Sequence, residues 1–338
     1  MSDLKISAAE LEAATDTILE IDLKTQAQKG PDLRQVHAKS HGLVWGEFII
    51  ENSIPETLKV GVFREPKTYP LWARFSNASD PEKRGQLKSD REPDLRGLAI
   101  KVLNVEGEKI LDDEQETQDF ILLNLPIFIV RDVQGFANLT KAGIGQAEPE
   151  VLQSLAPTFE ILKEATSKPI ANPLLIQYWS TTPFKLGSHL IKFSVKPHQQ
   201  DIPNSPQSSE NFLREAIIKF LTEDRQEAKF DFLIQIYVDD EKTPIEDPTQ
   251  EWKEADSPFI KLATLRIPAQ KFDFEERKRL DEGLSFSPWH TLPEHEPVGS
   301  INQARKKIYQ EIAKFRREHI EDRLREPQPY TVILDEPQ

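Results

Sequence analysis

The chain contains no cysteine, which excludes disulfides, thiolate-bound zinc, iron–sulfur clusters and thiol nucleophiles together. Positive charge is also in short supply: 43 Lys and Arg stand against 57 Asp and Glu, a formal net charge of −14. Such a surface repels phosphate polymers and anionic lipid at long range, so no nucleic-acid partner is expected and any anionic ligand has to be met by a local arginine cluster. Long apolar runs are missing too. The most nearly apolar stretch, residues 120–130, contains Asn124 and Pro126 and falls short of the roughly 20 residues a spanning helix needs, so no transmembrane segment is expected. Residues 1–5 show no basic region followed by an apolar one, which reads as a cytoplasmic protein. There is no G-x-S-x-G elbow, no H-E-x-x-H pair and no phosphate loop, and Gly143-Ile144-Gly145 lacks the third glycine of a dinucleotide fingerprint.

What the 338 residues do hold, 38% hydrophobic and 30% charged, is enough to build and clothe a core. Residues 7–28 carry apolar positions among acidic and small ones, and Ser7-Ala8-Ala9-Glu10 fits a capping box, so the spacing predicts a helix that packs on the body as an arm. Seven β-like runs follow, at 43–51, 71–77, 97–104, 119–124, 189–196, 230–238 and 259–267. Between them lie Pro-rich connectors at 196–210 and 242–257 and two helix candidates near 132–143 and 209–223. From about 272 the texture turns helical, and residues 301–324 place Ile308, Ile312, Phe315, His319 and Ile320 at helical spacing. Strands without regular helix alternation imply an α+β fold with an antiparallel barrel or sandwich core, and no internal repeat or composition break divides the chain.

Five fragments stand out, each weak alone: Arg34-Gln35-Val36-His37-Ala38-Lys39-Ser40-His41-Gly42, Ala73-Arg74-Phe75-Ser76, Arg96-Gly97-Leu98-Ala99-Ile100-Lys101-Val102, Asn124-Leu125-Pro126-Ile127-Phe128, and Gln303-Ala304-Arg305-Lys306-Lys307-Ile308-Tyr309. Their order and joint identity resemble the catalase family, over about 31–137 and again 301–316. The compact catalase-related haemoproteins, which include peroxidases and allene oxide synthase-type isomerases, are the nearer likeness, because the chain is short and carries Ser287-Pro288-Trp289-His290 before the last helix. The resemblance implies an antiparallel β-barrel of catalase type in one domain over 1–338: an N-terminal helical arm at 1–30, a barrel core at 31–270 and C-terminal helices at 271–338. It implies ferric haem b, held by Tyr309 as the metal ligand, as tyrosine ligation holds the iron in catalases. It further implies His37 and Asn124 as distal catalytic residues, Ser76 as the partner of the histidine, and Phe136 stacked on the ring. Arg34, Arg74 and Arg316 would meet the haem carboxylates, Arg305 would accompany Tyr309, and Val36 would precede the histidine as in true catalases.

The chemistry of these residue types agrees. A phenol with a pKa of ~10 is drawn toward phenolate by an adjacent guanidinium and a ferric ion, and Arg305 and Tyr309, four apart, share one helical face. A neutral imidazole can carry a proton from one peroxide oxygen to the other, and an amide can hydrogen-bond the departing oxygen. Taken singly, each residue has an ordinary reading as a loop histidine, a turn asparagine, a packed tyrosine or a salt-bridge arginine. His37 and His41 could share a metal only on a helix, which Ser40 and Gly42 oppose. The expected function is haem-dependent cleavage of the O–O bond of hydrogen peroxide or an organic or lipid hydroperoxide. The alternatives are a fatty-acid hydroperoxide isomerase and a non-catalytic haem-binding protein. A homodimer is expected by family analogy.

Overall fold

A computed structural model describes residues 6–79, 86–200 and 208–320. Ser7 opens the first helix, α1 (Ala8–Lys29), with the predicted capping box: its hydroxyl accepts the Glu10 amide hydrogen at 3.3 Å, and the Glu10 carboxylate accepts that of Ser7 at 3.0 Å. Two donors that would otherwise be orphaned are thereby satisfied. Four strands follow, β1 (Ser40–Ile50), β2 (Thr68–Asn77), β3 (Arg96–Leu103) and β4 (Thr117–Leu123). Helices α2 (Val133–Gly143), α3 (Pro149–Ser154) and α4 (Ala156–Thr166) lead to β5 (Tyr178–Trp179), β6 (Phe184–Leu186) and β7 (His189–Pro197). Helix α5 (Phe212–Ile218), prolonged by a π turn at Lys219–Glu223, precedes β8 (Ala228–Ile236) and β9 (Ile260–Ile267), and the described chain finishes with α6 (Glu275–Gly283) and α7 (Ser300–Arg317).

All strand pairings are antiparallel. The order runs β4-β3-β2-β1-β9-β8-β7, and β5 closes the ring by pairing with both β4 and β7, while β6 folds onto β7 outside it. The barrel is therefore eight strands around, and it leaves no open edge in the ring. Its interior is solid. Phe48, Phe63, Phe120, Phe193 and Phe232 fill it with stacked, tilted and edge-on contacts, among them Phe120 to Phe232 at 4.8 Å and Phe48 to Phe232 at 5.3 Å between centroids. A ligand has to be held outside the cylinder.

The helices provide that outer layer. Ala14 and Ile18 of α1, Val133 and Ala137 of α2, and Ala304 and Ile308 of α7 bury one another in a second cluster. Among the described residues, no helix is long and apolar enough to cross a membrane.

Among the described residues, seven of the nine strands lie where the sequence predicts them, with ends shifted by at most three residues. Strands β5 and β6, two and three residues long, are too short to print an alternation. Helices α3 and α4, which the sequence reading did not predict, carry Leu152 and Phe159 exposed, so their apolar residues do not all fall on one buried stripe. The last helix stops at Arg317, which leaves His319 and Ile320 beyond it; residues 321–324 of the predicted helix lie outside the described residues. So do 1–5, 80–85, 201–207 of the expected connector, and the rest of the C-terminal stretch to 338.

Candidate active site

Between the helical layer and the outer face of β2, β3 and β4 lies a cavity of about 740 Å³, within the roughly 300–1,000 Å³ of ligand pockets. Two rungs of the sheet make its barrel wall. Arg74 stands beside Ala99 and Ile121, and Ser76 beside Gly97 and Leu123, because residues two apart share a face of a strand. Helix α1 contributes Ile21 and Thr25, α2 contributes Phe136 and Leu139, and α7 contributes Arg305, Ile308, Tyr309, Ile312 and Arg316. The expected arm is thus a wall of the site.

His37 enters from the coil before β1. Its backbone is left-handed, φ 60°, and is held by its amide on the Ala78 carbonyl at 3.2 Å and by Arg74 Nη1 on its own carbonyl at 2.9 Å. The ring lies against Gly97, where a Cβ would sit 2.5 Å from both Cε1 and Nδ1, so only glycine lets the imidazole seat there. Nδ1 and Ser76 Oγ share a hydrogen bond of 3.0 Å. Burial, then the charges of Arg74, Arg34 and Arg305, push the imidazole pKa down to about 3. The ring is neutral at any physiological pH. His41 points elsewhere, with Nε2 on Asn77 Oδ1 at 2.8 Å, so the two histidines do not form a metal pair.

Three guanidiniums gather at one end. Arg74 Nε donates to Asp281 Oδ1 at 2.6 Å, Arg34 Nη2 to the carbonyls of Asp281 and Leu284 at 2.7 and 2.8 Å, and Arg316 to the carbonyls of Glu282 and Leu284. Burial raises the Asp281 carboxyl, but Arg74 and Arg34 outweigh it and hold it below the usual carboxylate range. Burial and mutual repulsion depress Arg34 well below, and Arg316 to about 10. One buried carboxylate against three such cations leaves a site short of negative charge.

On α7, Arg305 Nη2 donates to Tyr309 Oη at 3.1 Å, and Nη1 donates to Asn302 Oδ1 at 3.0 Å and Thr182 Oγ1 at 3.3 Å. Asn302 is the brace beneath: its Nδ2 donates to the carbonyls of Pro183 at 2.8 Å and Val298 at 2.9 Å, and its Oδ1 also accepts from Thr182. The coil leading into α7 is pinned by a buried ionic cluster. Lys101 Nζ bonds Glu114 and, at 2.8 Å, Asp119; His290 Nδ1 bonds Asp119 at 2.9 Å. Glu114, Asp119 and His290 converge as metal ligands do, but the ammonium of Lys101 fills the position a cation would take. Burial and Lys101 depress His290, yet its bonds to Asp113 and Asp119 prevail and raise it to about 9.

Of the expected residues, His37, Ser76, Arg34, Arg74, Arg305, Tyr309, Arg316, Phe136 and the exposed Val36 all line this cavity. Asn124 is not on its wall. It follows β4, where its amide donates to the Arg96 carbonyl at 3.0 Å and its Oδ1 accepts the Arg96 amide at 2.7 Å, so only its Nδ2 hydrogens remain to offer. Sequence reasoning missed Gly97, Thr182, Asp281 and Asn302. Gly97 alone left a signal, a glycine inside a strand pattern, which marks close approach of another group.

A sequence model of the catalase family matches residues 14–167, a stretch that includes His37, Ser76, Asn124 and Phe136 but stops before α7. Catalase easC of Claviceps fusiformis is 30% identical over 126 residues, 37% of this chain and 23% of that protein. A fungal catalase structure superposes with a TM-score of 0.65 at 19% identity, over 84% of this chain and 59% of the other. Catalase A from Saccharomyces cerevisiae gives 0.65 at 20% identity, over 84% and 61%. A bacterial catalase gives 0.63 at 19%, over 84% and 57%. The chain thus spans under a quarter of the Claviceps protein and about three fifths of each solved catalase. Residues 14–167 are thus similar in sequence to the catalase family, and the barrel with its helices has the fold of the solved catalases.

Proposed function

We propose that this chain is a haem-dependent enzyme that cleaves the O–O bond of hydrogen peroxide or an organic hydroperoxide. The observation that carries the reading is the cavity wall itself, which assembles a neutral histidine, an anion-seeking arginine cluster and an Arg–Tyr pair from separate stretches of chain. The residues fit ferric haem b. Arg34, Arg74 and Arg316 would hold its carboxylates and relieve their own repulsion, Phe136 would lie against the ring, and Tyr309 Oη would be the ligand to its iron. When bound, haem would supply redox-active iron, the chemistry that peroxide cleavage needs.

The chain's own groups do the rest. Arg305, fixed by Asn302 and Thr182, donates to Tyr309 Oη and holds that oxygen in position. With Nδ1–H donated to Ser76 Oγ, His37 presents Nε2 as a base, takes the proton of one peroxide oxygen and returns it to the other. Asn124, which lies off the cavity wall with its side-chain oxygen held by the Arg96 amide, takes no step in this reading. The cavity runs on past these groups along Ile21, Leu139, Ile144 and Leu162, an apolar wall that suits an organic hydroperoxide and, as a second reading, isomerisation of a fatty-acid hydroperoxide.

Reconstitution with hemin should give a Soret band, and Tyr309→Phe should lose most of it while remaining folded by circular dichroism. Oxygen release from hydrogen peroxide supports dismutation, and a rearranged epoxide from linoleate hydroperoxide supports isomerisation. Wild-type protein that takes up no hemin, or full activity in His37→Ala, would sink the reading.

A further inference from the structure

Ser180, part of the wall already described, also lines a second, smaller cavity of about 190 Å³. Lys192 of β7, opposite Gln235 of β8, reaches into it. This lysine is 5% exposed, and its Nζ has no hydrogen-bond partner. Its companion is the ring of Trp252, whose centroid lies 5.2 Å from Nζ, and Trp179 and Phe259 extend the apolar wall. An ammonium buried without a partner is disfavoured relative to the free amine, and an aromatic face offsets only part of that cost. The charged groups about it are Glu251, Glu254 and Lys196 on the same wall and Asp247 nearby. Burial prevails over Asp247 and Glu251 and lowers the pKa to about 7. Near neutral pH about half the population then carries a nucleophilic lone pair, against roughly one in 2,500 for an ordinary lysine.

We propose that Lys192 is a carbonyl-capturing amine and that the small cavity takes a short aldehyde, which condenses with Nζ to an imine. The volume is that of about six liquid waters at roughly 30 Å³ each, which sets the size of the guest. An anion is a poorer guest, because Glu251 and Glu254 share the wall and would repel it, whereas a neutral carbonyl pays no such penalty. In the first step the Nζ lone pair forms a C–N bond as the carbonyl π pair moves to oxygen. Proton transfer from nitrogen to oxygen, for which the Glu251 carboxylate is at hand, gives the carbinolamine. Loss of the hydroxyl with one further proton releases water and leaves the imine, with no oxidant or reductant consumed.

The test treats the full chain with butanal and sodium cyanoborohydride, which reduces imines to stable secondary amines, and maps labelled lysines by peptide mass spectrometry. Lys192 should be labelled at least about tenfold faster than the exposed Lys163 and Lys307, with the rate rising through a midpoint near pH 7. Lys192→Gln should remove that label alone. Labelling no faster than at the exposed lysines, or a rate that climbs only above about pH 9, overturns the proposal. Neither outcome touches the haem reading, which is scored by Soret absorbance and peroxide turnover.

Discussion

His37 is held in a left-handed backbone conformation that costs a non-glycine residue of order 1–3 kcal/mol, and the Arg74 and Ala78 hydrogen bonds are what offset it. The histidine itself was legible in the sequence through the run around it. Its supports were not: Ser76 is 39 residues away, and Asp281, which anchors Arg74, stands 207 from that arginine. Gly97→Ala tests the seat, since the new Cβ would displace the imidazole. Misplacement on the ångström scale costs roughly 10²-fold, so kcat/KM with hydrogen peroxide should fall by about that factor while haem content per chain stays unchanged. Initial rates within about twofold of wild type would mean that the ring does not work from this position.

Helix α7 carries both Arg305 and Tyr309, and its register against the barrel depends on Asn302, whose side chain makes four hydrogen bonds within the protein. Asn302→Ala leaves two backbone carbonyls and one guanidinium contact unanswered, which should cost about 2–4 kcal/mol in urea denaturation and weaken hemin binding. An unchanged urea midpoint would remove the brace from the account. The helix was readable from its spacing, but its brace was not, because an asparagine at the head of an amphipathic helix looks like any capping residue. The same limit hid β5 and β6. Strands of two and three residues exist because their neighbours hold them, and no local pattern records that. Asn124 shows the converse: its motif was plain, while the Arg96 amide that fixes its side-chain oxygen belongs to the neighbouring strand.

For the molecule as a whole, buried histidines set opposite limits on stability. His41 and His295 are pushed by burial to about 4 and about 3, against about 6.5 in an unfolded chain. Below pH 6.5 the unfolded state therefore binds more protons, and the stability these residues confer above it is lost as pH falls, by about 3 kcal/mol each at pH 4. His290, raised to about 9, acts in reverse: its contribution is complete below pH 6.5 and disappears as pH climbs through 9. The urea midpoint should peak near pH 6.5 and decline on both sides; a flat profile between pH 4 and 9 would contradict the linkage. The barrel has its own asymmetry. Long pairings join most of its strands, yet closure depends on one residue pair between Leu123 and Trp179 and two between β5 and β7. That short latch adjoins Asn124 and Ser180, with Leu123 lining the larger of the two cavities described and Trp179 the smaller. A cylinder fastened by so few pairs at one stitch has fewer hydrogen bonds to break there than anywhere else on its circumference.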